Sequence, residues 1–233
     1  MGDPLTDPPI TAVAEAIERM TAIAGALPAD DGLASFNRMY LAVTIDVNAA
    51  IRQGFYADPH FMTELDVVFV NLYLDAVRAS VSYPDRVAKA WAALLESRSR
   101  PGIEPIQFAL AGMNAHINHD LPLAVVRTCR ELDTSPGIGW HHADYRRIDS
   151  LLDGAEQRVR QSFEGGWALD VDRHLQAVIT LVGNWSITRA RSTAWTNALT
   201  LWALRHVPLI ARDFAAGLDH MVGFAGRGLL LPV

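Results

Sequence analysis

The stretch HFMTELDVVFVNLYLDAVRAS, residues 60–80, decides the fold class. Leu65, Val68, Phe69, Leu72 and Ala76 recur at steps of three and four, the period of an α-helix, and the middle of the segment is apolar on nearly every side. Such a helix must be wrapped by others. The same period spreads outward on both sides. It predicts helices over 10–27, 33–54 and 87–96, one from 105 to about 121, and others over 121–132, from 144 to about 161, over 172–206 and over 209–224. The run at 172–206 is the longest, and the last helix is followed by a Gly-rich apolar tail. Pro122 is expected to break, kink or restart the chain after Leu121. No alternating strand pattern and no internal repeat is present. The expected fold is all-α: one irregular helical bundle of a single domain, 1–233, around a long central helix.

Composition narrows the function classes. The chain has 233 residues, 50% hydrophobic and 20% charged, a balance that supports a large core rather than disorder. Twenty Lys and Arg against 26 Asp and Glu leave a formal charge of −6, which argues against a nucleic-acid partner because phosphate binding gathers cations on one face. One cysteine, Cys129, permits neither an intrachain disulfide nor a thiolate metal cluster and suits a reducing compartment. The acidic, Pro-rich opening is unlike a signal peptide. The longest charge-free stretches, 15 residues at 105–119 and 14 at 175–188, fall short of a bilayer span. A cytoplasmic location without a membrane span is expected; the oligomeric state is left open.

The sharpest chemical feature is GMNAHINHDL, residues 112–121. On a regular helix His116 and Asp120 differ by only ~40° around the axis, so both project from one face. An imidazole and a carboxylate so placed suit three roles. They can ligate one metal, the carboxylate can orient the imidazole as a base, or both can serve helix packing, with Asp120 capping the helix that begins near Pro122. Gly112 permits a close approach to the backbone, and Asn114 and Asn118 are further polar groups in an apolar segment that demand partners or substrate. His119 lies to the other side of His116.

Asp66 sits inside the apolar 60–80 helix, and Tyr73, seven residues on, projects the same way. A carboxylate in that position marks a candidate site or a buried structural pair. His141 and His142, near Asp144, follow a Pro/Gly loop, and His142 is the preferred further imidazole. Asn184, Thr188, Arg191 and Trp195 form a polar-to-aromatic stripe in which Arg191 suits an anionic group or a buried carboxylate and Trp195 a stacking wall. Dinucleotide, P-loop, zincin and lipase-elbow motifs are absent, as is the Glu-x-x-His pair of ferritin-like di-iron bundles.

The segments beginning at Phe61 and Gly112, with RARSTAW at 189–195, resemble a bacterial all-helical family of unknown function, over most of the chain. The resemblance directs attention to Asn114, His116, Asn118 and Asp120 within its Asn-Ala-His-Ile-Asn-x-Asp-Leu phrase and implies no activity. A much weaker similarity, through the His-x-x-x-Asp helix alone, is to helical zinc-dependent phospholipase C and P1-type nucleases. The amino-terminal Trp and the His-rich ligand set of those enzymes are missing, so their trinuclear site is not expected. The preferred expectation is a hydrolase in which His116, Asp120 and Asp66, with His142, hold zinc, manganese or iron, and Arg191 holds negative charge on a small polar substrate. The alternatives are an iron oxygenase, a metal-free isomerase or cyclase driven by His116 and Asp120, and a helical protein that binds a small molecule or partner without turnover.

Overall fold

The computed structural model describes residues 2–164 and 186–232, with side chains described outside 153–185. Among the described residues the chain is all-α, with no strand. The helices are α1 Val13–Ala26, α2 Gly32–Arg52, α3 Pro59–Ser82, α4 Lys89–Ser97, α5 Pro105–Ala115, α6 Leu121–Glu131, α7 His141–Glu164, α8 Ile187–Ala203 and α9 Pro208–Leu229. The part of the 172–206 prediction before residue 186 lies outside the described residues. No described helix is long and apolar enough to cross a membrane.

Local chemistry sets the helix starts. Asp31 accepts the Leu33 N–H at 2.8 Å and Asp58 the Phe61 N–H at 3.0 Å, each satisfying a donor that the first helical turn leaves free. Proline occupies the first turn of α3, α5 and α9, where its missing N–H is harmless. Every helix contributes to one apolar core, with Trp91, Tyr73, Tyr145 and Phe36 its largest fully buried side chains.

The end of the last helix differs from the sequence-based expectation. Helix α9 runs on to Leu229 rather than stopping near 224, because Gly226 is an inward-facing contact against Ala93 of α4 and not a terminator. The tail then docks: Leu230 is buried and the Gln107 side-chain amide donates to the carbonyls of Leu229 and Leu231 at 2.9 and 2.8 Å. Pro122 stands in the first turn of α6, the restart expected after Leu121, and α5 and α6 form one rod joined by a single wide turn, described below.

Gly112 lies where α5 crosses α2, and a Cβ there would overlap the ring of Phe36. Phe36 has little room to yield, since it packs edge-on against Tyr73, Trp91 and His116 at centroid distances of 5.2, 5.3 and 5.9 Å. Helix propensity alone favours alanine by ~1 kcal/mol, but overpacking a rigid core costs ~1–3 kcal/mol. Gly112→Ala is therefore expected to destabilise the chain in urea unfolding, and a gain in stability would contradict the crossing.

Candidate functional site: a buried imidazole beside an apolar cavity

Residues His116–Asp120 form a π turn between α5 and α6, in which the Leu121 N–H reaches back to the His116 carbonyl. Pro122 accounts for its position, because it lacks the N–H that a regular helix would direct to the Asn118 carbonyl. The wide turn inserts one residue, and such turns concentrate at functional sites. Here it lets two imidazoles reach the same carboxylate.

Asp120 is 2% exposed and accepts three bonds. Its Oδ2 takes Trp91 Nε1–H at 2.9 Å and faces His116 Nδ1 at 3.0 Å, while Oδ1 faces His119 Nδ1 at 2.7 Å. An ionised carboxylate only accepts, so both histidines carry their proton on Nδ1. Burial raises the Asp120 carboxyl, but the bonds from His116 and His119 outweigh it and hold the group below the usual carboxylate range. For His119, burial is outweighed by the bond and charge of Asp120, and the imidazole is raised; its Nε2 also lies 3.6 Å from Asp219. For His116, burial wins over Asp120 and the imidazole is lowered. Neutral His116 thus carries a lone pair on Nε2, a buried atom with no hydrogen-bond partner among the described residues.

His116 stands on the wall of a cavity of about 100 Å³. Its ring stacks on Phe69 at 3.6 Å and meets Tyr40 edge-on at 4.4 Å. Met39, Val43, Leu65, Leu110 and Ile117 supply much of the remaining apolar wall. Asp66 also lines the cavity; its Oδ2 is buried without a partner, and burial pushes its carboxyl up to about 7. The Tyr40 hydroxyl is a third buried group without a partner. Arg191 reaches the wall, but its Nε donates to Asp149 at 2.7 Å and Nη2 to the Tyr145 carbonyl at 2.5 Å, so its charge is already matched.

The structure therefore puts His116 and Asp66 on the wall of one cavity, with Arg191 at the margin, and Asp120 hydrogen-bonded to His116 without lining the cavity. It places the other candidates elsewhere. Asn114 donates to the Val222 carbonyl at 2.9 Å and accepts from Asn118 at 3.1 Å, tying the rod to α9. Tyr73 does not share the Asp66 cavity; its hydroxyl donates to Asn37 at 3.0 Å in the core. Trp195 meets Tyr145 at a tilt and stacks on His142, which is exposed and lies outside the cavity wall. The buried histidine of that pair is His141, stacked on Phe61 at 3.8 Å, while Asp144 accepts the N–H groups of Ala57 and Asp58.

As a metal centre the donor set is short. Both oxygens of Asp120 are taken by nitrogen donors, which leaves His116 Nε2 and Asp66, and no group of three His, Cys, Asp or Glu side chains among the described residues is arranged to hold a metal ion. Trp91, Tyr40 and Phe69 were not among the residues singled out from sequence. Phe69 alone had a signal, standing three residues after Asp66 and hence on the same helical face.

No curated protein and no solved structure matches this chain. A family model does match, over residues 13–232, nearly the whole length, and no phospholipase or nuclease relationship accompanies it. The chain with this buried His–Asp–His cluster and its adjoining cavity belongs to the family of unknown function DUF5995.

Proposed function

We propose that the chain is an acid–base enzyme that moves a proton on a small, mostly apolar molecule bearing one carbonyl or hydroxyl group. The observation that carries this reading is the unpartnered Nε2 of His116, opposite an Nδ1–H held by Asp120. A buried polar atom without a partner is costly, and a ligand that supplies one recovers that cost. An apolar cavity of about 150 Å³ accommodates benzene, so the space here suits a molecule of about that size or slightly smaller.

In this reading Nε2 accepts a proton from the carbon beside the substrate carbonyl, and the imidazolium that forms is stabilised by Asp120. Asp66, neutral below about pH 7, gives its proton to the carbonyl oxygen, yielding the enol. Where a carbon–carbon double bond stands β,γ to that carbonyl, the dienol takes the proton from the His116 imidazolium at its γ-carbon while its O–H proton returns to Asp66, which completes an isomerisation and restores both groups; a saturated ketone such as cyclopentanone only exchanges its α-proton. The apolar wall alone supports simple binding; the oriented base and the neutral acid support chemistry.

The test is deuterium incorporation at the α-carbon of cyclopentanone in D2O, followed by NMR. The wild-type chain is expected to accelerate exchange, and His116→Gln to lose at least ~100-fold of that acceleration, the usual contribution of a positioned base. Bound cyclopentanone, seen by line broadening, without any faster exchange would mean that the cavity recognises and does not catalyse.

A further inference from the structure

Helix α9 has two apolar faces. The inner one carries Leu218, Val222, Gly223 and Gly226 against the bundle. Its glycines are explained within the chain: a Cβ on Gly223 would overlap the backbone of Lys89, and one on Gly226 would lie 3.3 Å from the Ala93 Cβ. The outer face repeats the theme, and of its residues only Phe214 also packs partly on the core. Ile210, Phe214, Gly217, Met221, Phe224 and Gly228 follow one another at steps of four, three, four, three and four, the spacing of a helix–helix seam, with no charge among them. Met221 is 67% and Phe224 80% exposed, and a Cβ on Gly217 or Gly228 would meet no described atom within 4 Å. Glycine is a poor helix former, and Gly217, in the interior of this exposed helix face, points to a close neighbour; Gly228 stands in the last turn.

We propose that this face is the seam of an antiparallel, two-fold dimer of the chain. With the two-fold level with position 219, residues equidistant from that point meet. Met221 then covers Gly217 of the second copy, Ile210 covers its Gly228, and Phe214 lies beside its Phe224, so that large side chains meet small ones or aromatic ones at every step. The flanking charges agree with the same register. On the flanks of an antiparallel seam the nearest partners are offset by two residues, so Asp213 of each copy stands beside Arg227 of the other, twice across the seam, while the opposite flank pairs Ala211 with Ala225 and allows close approach. Among the described residues Asp213 has a long, exposed contact to Arg212, at 3.9 Å. The two-fold makes charge and size complementary at once, which favours a second copy over an unrelated partner.

Sedimentation or light scattering of the full chain between 1 and 100 µM tests this. The expected mass is twice 25.5 kDa at the upper concentration. Gly217→Leu fills the hole opposite Met221 and is expected to weaken association at least 100-fold, while the monomer keeps or raises its Tm, because the new side chain meets no atom of its own chain and favours helix. Asp213→Arg and Arg227→Asp singly are expected to weaken the dimer about tenfold, and the double reversal to restore it. A chain monomeric at 100 µM overturns the proposal. So does a dimer that Gly217→Leu leaves intact, or a charge reversal without rescue.

Discussion

Asp120→Ala is expected to cost ~3–5 kcal/mol of unfolding free energy at neutral pH, the range for removing one partner from a buried, charge-assisted network. Three donors lose their acceptor together: Trp91 Nε1–H, His116 Nδ1–H and His119 Nδ1–H. Their alternatives are poor. Trp91 is 1% and His116 2% exposed, so water does not replace the carboxylate without opening the junction of α3, α4 and the π turn. Unpaired buried donors cost ~1–3 kcal/mol each, but some relaxation makes them less than additive. Asp120→Asn keeps the shape and one acceptor while turning an NH2 group toward N–H donors, and is expected to fall between wild type and alanine. Urea unfolding followed by circular dichroism reads both. An alanine variant within 1 kcal/mol of wild type would show that the three bonds carry little of the fold.

The same three bonds explain what was legible in the sequence. The His116–Asp120 spacing predicted a shared face and did find the contact, and Asp66 stood out because a carboxylate inside an apolar run needs a reason. The helical segments were legible for the same cause: their apolar period is local. The third partner was not. Trp91 lies on a short helix 29 residues from Asp120, and only the packing of α4 beside the rod brings its indole to the carboxylate. The end of α9 was missed because Gly226 is a breaker by local rule and is used here for a close crossing, whereas Pro122 did mark the restart at α6. His142 and Trp195, expected in separate roles at the site, stack on each other instead, with Trp195 in the core and His142 exposed, and neither lines the cavity. Periodicity tells which residues share a face and not which face of another helix receives it.

Asp66 should leave its own mark on the pH dependence of stability, opposite in sign to that of an ordinary carboxylate. Burial raises its folded-state pKa to about 7, whereas the unfolded chain titrates near ~3.9. Between these values the folded state holds a proton that the unfolded state has released, so stability falls as pH rises, by ~1.4 kcal/mol per unit. The full loss is roughly 4 kcal/mol, complete once the pH passes about 7, and absent below ~4, where both states are protonated. Other carboxylates, Asp120 foremost, act in the reverse direction, so the comparison must be with Asp66→Asn. Its amide adds a buried donor at a cost that does not vary with pH. The readout is therefore the change in the difference between the two proteins, and the asparagine variant should gain several kcal/mol on wild type between pH 4 and pH 8. A constant difference across that range would mean that Asp66 is ionised in its cavity and holds a cation or water there. It would also remove the neutral acid that the proposed proton transfer requires, whereas the expected slope would locate, by its upper end, the pH above which cyclopentanone exchange declines.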